Sequence, residues 1–263
     1  MPMVEEIVAS GRRMFLWRSY LPLGALALVL HGFQHFVYPF GSHRWDLAWE
    51  LACLSISLLG LLARVATIGF APRGTPGRNR KHPMADTLNT TGMYSIVRNP
   101  LYLGNFLIGL GVSLFLRVWW VPAMYIGVFI LHYERTIFAE ELFLRRKFGQ
   151  IYLDWASNTP MFLPRIRQWR PPALPINWRK IIRHEHQTLF GIVMVFYFFE
   201  LVGDWILGHA LFADPLWNGM AAASLLAFIT LRILHKFTSL LQEQEPANGE
   251  PPDAGTIDSL PDP

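Results

Sequence analysis

The chain has 263 residues, of which 52% are hydrophobic, 14% aromatic and only 16% charged, and its formal net charge is +4 at pH 7. So apolar a chain, with long uninterrupted apolar runs, argues against one or two soluble domains. Its Lys and Arg residues flank those runs rather than forming a patch of their own, which argues against nucleic-acid binding.

Six apolar runs predict membrane-spanning helices, because a crossing needs about 20 residues at 1.5 Å each. The runs at 21–40, 47–71, 188–212 and 217–235 reach or approach that length. Those at 101–116 and 118–133 are shorter and are separated only by Arg117, so they predict a tight helical hairpin. We therefore expect an all-α, polytopic membrane protein with about six transmembrane helices. Buried helices of a soluble protein are a poor alternative for runs of this length.

The distribution of Lys and Arg predicts the orientation of these helices. Eighteen of them lie in the N-terminal segment and in segments 72–100 and 134–186, against two, Arg44 and Arg117, in the loops on the other side. Because cytoplasmic loops carry the excess of positive charge, both termini and both long polar segments are expected in the cytoplasm.

The chain divides into four parts by composition. Residues 1–71 hold two spans, 72–165 a polar loop, the hairpin and a polar helix, and 166–240 a basic connector with a helical pair. The tail, 241–263, has six acidic residues, five prolines and no Lys or Arg, so we expect it to be disordered. A single cysteine, Cys53, predicts neither an intrachain disulfide nor a cysteine metal cluster, and no metal site is expected.

The first concentration of polar chemistry runs from residue 72 into the third apolar run. Asn99 and Pro100 form a favourable helix start, with Asn as N-cap and Pro at the first helical position. A helix N-terminus beside Arg98 suits a carboxylate or a phosphate, although a well-capped span with an interfacial Arg would look the same. Gly104 would let a neighbouring helix or a flat ligand approach the backbone.

The second concentration follows the fourth apolar run and contains the adjacent carboxylates Glu140 and Glu141. Adjacent residues differ by 100° around a helix, so one carboxylate can face inward while the other faces water or a cation. An ordinary amphipathic surface helix is the alternative interpretation. The pattern leaves open which of the two faces a pocket.

Other polar residues within the apolar runs have simpler explanations first. Glu200 and Asp204 could each pair with Arg232, which would neutralise their charge in the membrane. His31 and His35 lie four residues apart and could bind haem or a metal, but hydrogen bonding near the outer interface is the simpler interpretation.

Together the two polar segments resemble the isoprenylcysteine carboxyl methyltransferase and phospholipid methyltransferase superfamily of integral membrane enzymes. The resemblance covers about residues 72–165. Its first pattern is matched by Gly92, Tyr94, Arg98, Asn99, Pro100, Tyr102 and Gly104, and its second by Glu140, Glu141, Leu144, Phe148, Gly149, Tyr152 and Pro164. Asn99 stands where the family often has His, and it cannot act as a base near neutral pH. Trp155 replaces a frequent Tyr.

The resemblance implies a methyltransferase that uses S-adenosylmethionine and methylates a membrane lipid or a lipid-linked acceptor. It implies catalytic roles for Arg98 and Glu141. The implied cofactor-binding residues are Tyr94, Arg98, Asn99, Pro100, Tyr102, Gly104, Asn105, Glu140 and Glu141. The acceptor group would be a carboxylate, a phosphate or an amine, and a lipid A phosphate is one candidate. The expected location is a bacterial inner membrane, with the site facing the cytoplasm.

Two other functions fit parts of the pattern. A membrane steroid or enone reductase has a similar Arg-x-Pro-x-Tyr-x-Gly stretch and would require NADPH. A non-enzymatic bundle with haem on His31 or His35 is the second. The Glu140–Glu141 pair favours the methyltransferase over the reductase, and an absence of Soret absorption would exclude the haem bundle.

Overall fold

The structure, a computed structural model, describes residues 31–35, 43–72, 87–208 and 214–237. Its seven α-helices are α1 (His43–Gly69), α2 (Met93–Ile96), α3 (Pro100–Leu114), α4 (Trp120–Phe148), α5 (Gln150–Asn158), α6 (Trp178–Leu207) and α7 (Pro215–Phe237). Short 3-10 helices cover Phe33–His35 and Ile166–Gln168. In these ranges the only β contact is an isolated bridge between Gly92 and Arg170. The predicted all-α class is confirmed.

Within the described ranges, three helical stretches are long and apolar enough to cross a membrane: Trp45–Gly69, Trp178–Leu207 and Pro215–Leu234. They overlap three of the predicted runs, although the second begins ten residues before the predicted run 188–212, and the chain is an integral membrane protein. The third run forms the shorter apolar helix α3, and the fourth forms the first half of α4. The run at 21–40 lies mostly outside the described residues, so six crossings stays a prediction. The acidic tail lies outside them as well.

The predicted hairpin is confirmed by α3 and α4, which pack against each other across a five-residue connection, 115–119. Arg117 at its tip has φ 60°, a conformation that costs a non-glycine residue about 1–3 kcal/mol. The Arg117 guanidinium forms an ion pair with the buried Asp46 of α1. The hairpin tip is thereby tied to the first turn of α1.

Helix α1 lies at the centre of the described bundle and packs on both α3 and α6. Its contact with α3 is close because glycines meet there: a Cβ on Gly60 would lie 2.5 Å from the carbonyl oxygen of Gly104. A Cβ on Gly111 would lie 2.4 Å from the carbonyl oxygen of Cys53. Small residues let membrane helices approach this closely. In a bilayer the hydrophobic effect does not hold helices together, so van der Waals contact between them contributes to their association.

The substitution Gly60→Ala is expected to destabilise the protein by about 1–3 kcal/mol, because the added methyl forces α1 and α3 apart. Thermal unfolding in detergent measures the effect. Gly127→Ala is the matched control, since a Cβ at Gly127 meets nothing within 4 Å. Equal unfolding temperatures for the two variants would contradict the close α1–α3 contact.

The proposed partner of Glu200 is different from the one that the sequence suggested. Arg232 is exposed on α7 and its guanidinium lies 5.9 Å from the centre of the Phe228 ring. Glu200 is buried beside Glu50 of α1 instead. The expected Glu200–Arg232 pair is therefore wrong, because α7 presents Arg232 outward rather than toward α6.

Candidate active site

The start of α3 is the first wall of the candidate site. Pro100 occupies the first helical position and Asn99 is the N-cap residue, as expected. The Asn99 side chain does not cap the helix; its amide donates a hydrogen bond to the Met161 carbonyl at 3.2 Å. Arg98 and Tyr102, at the start of α3, contact the C-terminal half of α4.

The two motif segments meet through one contact from each adjacent carboxylate. Tyr102 donates a hydrogen bond to Glu140 Oε1 at 2.7 Å. Arg98 Nη1 lies 3.3 Å from each oxygen of Glu141. Both glutamates therefore face the start of α3, and neither points only to water. The structure places Arg98 and Glu141, the two implied catalytic residues, side by side.

Tyr152 of α5 completes the surroundings of Glu141, together with Arg98 and Asn99. Three buried polar atoms in this group lack a hydrogen bond of good geometry: Arg98 Nε, Glu141 Oε1 and Tyr152 Oη. Buried polar atoms in native proteins are almost always satisfied. These three atoms belong to the loop before α3, to α4 and to α5, so they form one polar group where the two motif segments meet.

Burial governs the ionisation of this group. It raises the pKa of Glu141, and the nearby Arg98 cation and hydrogen bonds from Tyr152 and Asn99 partly oppose that rise. Burial and the Glu141 charge raise the pKa of Tyr152 to about 12. Burial, with a smaller effect from Glu140, also raises the pKa of Tyr94. Both tyrosines are therefore neutral hydrogen-bond donors at physiological pH.

The loop before α3 is held in place by the segment that follows α5. The Arg98 amide donates to the Pro160 carbonyl at 2.8 Å, and the Arg165 amide to the Ile96 carbonyl at 2.9 Å. The Trp155 indole donates to the Tyr94 carbonyl at 3.1 Å. These bonds fix the backbone beside Arg98 without using its side chain.

Glycines at two motif positions are explained by backbone conformation. Gly92, before α2, has φ 58°, and Gly149, between α4 and α5, has φ 55°. L side chains rarely adopt this region. Gly149 turns the chain sharply so that α5 returns Tyr152 toward Glu141. No Cβ clash exists at Gly149, so conformation alone accounts for its glycine.

A polar network behind the site joins four helices. Arg64 of α1 forms hydrogen bonds to both oxygens of Glu185 in α6, at 2.9 and 2.6 Å, and to Asn105 Oδ1 at 2.5 Å. The Asn105 amide donates to Tyr133 Oη at 3.4 Å. The Tyr133 ring lies 4.7 Å from that of Tyr102, the partner of Glu140.

This network explains the positions of two predicted site residues. Asn105 contacts Arg64 and Tyr133 instead of lying beside Glu141. A Cβ on Gly104 would lie 2.5 Å from Arg64 Cγ, so Gly104 packs against α1. Both residues support the site from behind. The other predicted residues, namely Tyr94, Arg98, Asn99, Pro100, Tyr102, Glu140 and Glu141, lie at or next to the meeting of the two motif segments.

Comparison with known proteins agrees with this arrangement. The family model of the phospholipid methyltransferases matches residues 72–151, which include both carboxylate contacts. The chain belongs to this family. The family is part of the isoprenylcysteine carboxyl methyltransferase-like superfamily, which confirms the resemblance found in the sequence.

Two curated relatives extend the similarity. The nickel-cobalt-cadmium resistance protein NccN of Alcaligenes xylosoxydans xylosoxydans is 30% identical over 162 residues, which are 61% of this chain and 68% of that protein. The cobalt-zinc-cadmium resistance protein CzcN of Cupriavidus metallidurans is 34% identical over 132 residues, which are 50% of this chain and 58% of that protein. No solved structure matches the chain significantly.

Sequence reasoning missed three residues that this phospholipid methyltransferase family member brings to the site or its support. Tyr152 matched the second motif but was assigned no role. Arg64 and Glu185 belong to neither motif, although an ionisable residue in or beside an apolar run is itself a signal, because it is costly in the membrane. Their partnership was not visible because 121 residues separate them.

Proposed function

We propose that this protein is a methyltransferase that binds S-adenosylmethionine between α3 and α4 and methylates a lipid or lipid-linked acceptor. The proposal depends on one observation above others. Arg98, Glu141 and Tyr152 come together from the loop before α3, from α4 and from α5, and three of their buried polar atoms lack a hydrogen bond of good geometry. Membership of the phospholipid methyltransferase family supports the same chemistry.

The residues present fit this cofactor. Its methionine part carries a carboxylate, which Arg98 can bind, and an ammonium group, which Glu141 can accept. Glu140, held by Tyr102, offers a further acceptor for ribose hydroxyls. The cofactor supplies an activated methyl group for in-line displacement. The protein's contribution is to align the reacting groups and exclude water, so no protein nucleophile is required.

The acceptor is proposed to enter from the membrane at its cytoplasmic face. The excess of Lys and Arg in the segments that form the site supports this orientation, and the bacterial inner membrane is the proposed location. An anionic acceptor such as a carboxylate or phosphate attacks without a general base. Asn99 cannot act as one, which favours such an acceptor over an amine.

Calorimetry with the detergent-purified protein tests the cofactor. We expect micromolar binding of S-adenosylmethionine and none of NADPH. Transfer of a radiolabelled methyl group into total lipid extract would then identify the acceptor. Binding of NADPH alone would overturn the proposal in favour of a reductase.

The affinity for S-adenosylmethionine is expected to rise as the pH increases through the pKa of Glu141. Glu141 binds a ligand cation only when ionised, and its raised pKa places that ionisation above the ordinary value of 4.5. Below the raised pKa the carboxylate is protonated and the attraction is lost. Calorimetric titrations at a series of pH values measure this. A Glu141→Gln variant should bind more weakly and lack this step; an unchanged pH profile would exclude Glu141 as the cation's partner.

The names of the two relatives suggest metal resistance as a phenotype to test. We propose that any such phenotype depends on the same site. A host strain lacking this gene should regain nickel, cobalt or cadmium tolerance with the wild-type gene but not with a Glu140→Ala, Glu141→Ala double variant. Equal rescue by both genes would separate resistance from methyl transfer.

A further inference from the structure

The segment between α5 and α6 carries an unbalanced charge. Residues 155–184 contain no Asp or Glu. They contain six cationic side chains: Arg165, Arg167, Arg170, Arg179, Lys180 and Arg183. Five of these, Arg165, Arg167, Arg170, Arg179 and Arg183, are exposed. A positive-inside bias alone requires cations here, but not the pattern in which they are arranged.

Large apolar side chains alternate with these cations and are exposed with them. Leu163 is 77% exposed, Ile166 76% and Trp178 61%. Trp169 and Leu174 are exposed as well. Apolar and aromatic groups interleaved with Arg are typical of chain that lies in the membrane interface. The position fits, because the span Trp178–Leu207 begins at the end of this segment.

The backbone of the segment is fixed to the candidate site while its side chains face outward. The Arg170 amide donates to Ser95 Oγ at 2.9 Å, and its carbonyl accepts from the Gly92 amide at 3.0 Å. Met161 accepts from the Asn99 side chain. The exposed Arg and apolar side chains therefore lie on a fixed strip directly beside Arg98, not on a detached loop.

We propose that residues 161–179, here called the interfacial strip, bind the phosphate-bearing headgroups of anionic lipids and deliver one of them to the candidate site. The apolar side chains enter the interface, and the Arg guanidinium groups bind phosphate, for which their planar fork is well suited. The proposed binding of anionic lipid does not depend on the proposed methyl transfer. Delivery of an anionic acceptor deepens, and rests on, the proposed methyl transfer.

The test uses the full chain in detergent–lipid micelles with spin-labelled phosphatidylglycerol and, separately, spin-labelled phosphatidylcholine. The strip variant is Arg165→Gln, Arg167→Gln, Arg170→Gln, which leaves the backbone bonds in place. The matched control is Arg145→Gln, Arg146→Gln, Lys147→Gln, which removes three exposed cations from the end of α4. The immobilised fraction of each spin label reports lipid bound at the protein surface.

We expect the wild-type protein and the control to prefer phosphatidylglycerol several-fold, and the strip variant to lose that preference. Its affinity for S-adenosylmethionine should equal that of the wild type, and its KM for the lipid acceptor should rise several-fold with little change in kcat. The proposed lipid site is refuted if the strip variant still prefers phosphatidylglycerol. It is also refuted if the control variant loses that preference to the same extent.

The two proposals fail separately. If the protein binds no S-adenosylmethionine but the lipid preference follows the strip, the methyltransferase proposal is wrong and the anionic-lipid site remains. If cofactor binding is present and the preference is absent from the wild-type protein, the strip is wrong and the methyltransferase proposal remains.

Discussion

The double variant Glu140→Ala, Glu141→Ala is expected to lose affinity for S-adenosylmethionine by about 100-fold or more. Removing a carboxylate from a desolvated charge pair costs about 2–5 kcal/mol, and each 1.4 kcal/mol is tenfold in affinity. The loss has two sources. The ligand's cation loses its partner at Glu141, and Arg98 and Tyr102 lose the acceptors that orient them.

Calorimetry measures the affinity, and Glu134→Ala is the matched control. Glu134 is an exposed carboxylate on the same helix, one to two turns before the pair. Its removal should leave both affinity and unfolding temperature unchanged. The double variant should also unfold at nearly the wild-type temperature: without ligand the Arg98 and Glu141 side chains are 20% and 26% exposed, so water can solvate the remaining Arg98 cation, and only a bound ligand desolvates the pair fully. Retained affinity in the double variant would refute the assignment of the site to this pair.

Single variants then distinguish the two carboxylates. Glu140→Gln keeps the size of the side chain and an acceptor for Tyr102, so a modest loss of affinity is expected. Glu141→Gln removes the charge opposite Arg98 and should cost more. The opposite ranking would assign the ligand's cation to Glu140.

The substitution Glu185→Ala is expected to destabilise the protein by about 3–5 kcal/mol. It leaves the Arg64 guanidinium without its carboxylate, and the two side chains are only 13% and 4% exposed. Removing one partner of a buried pair is strongly destabilising because an uncompensated charge remains in a site of low polarity. Thermal or denaturant unfolding in detergent measures this directly.

Two comparisons test that explanation. Arg232→Ala removes an exposed cation from α7 and should change stability by less than about 0.5 kcal/mol. The double variant Arg64→Met, Glu185→Met should be more stable than Glu185→Ala alone, because no unpaired charge remains. If Glu185→Ala unfolds like the wild type, the pair does not hold α1 to α6.

Cofactor affinity in the Glu185→Ala variant provides a further readout. Arg64 orients Asn105, whose amide contacts Tyr133, and Tyr133 packs against Tyr102. If the folded fraction binds S-adenosylmethionine several-fold more weakly, the network positions Glu140 through Tyr102. Wild-type affinity in that fraction would limit the network to stability.

The sequence alone determined the class of protein and the identity of the two motif segments. The length of an apolar run and the sign of its flanking charges are local properties, so the existence of α1, α6 and α7 could be predicted without knowing how they pack, although not the start of α6 at Trp178. The start of α3 was equally local, since Asn99 and Pro100 mark a helix N-terminus wherever it is found.

The tertiary structure decided the pairing. Adjacent glutamates on a helix look alike in sequence, and only the position of α3 gives Tyr102 to Glu140 and Arg98 to Glu141. The same holds for Arg64 with Glu185, and for Glu200, which lies beside Glu50 and not Arg232. An ionisable side chain in a membrane bundle needs a polar partner because it is costly to bury alone. Which residue becomes that partner depends on how each helix is rotated and how closely the helices pack. Those are set by contacts such as that of Gly60 with Gly104, far apart in the chain.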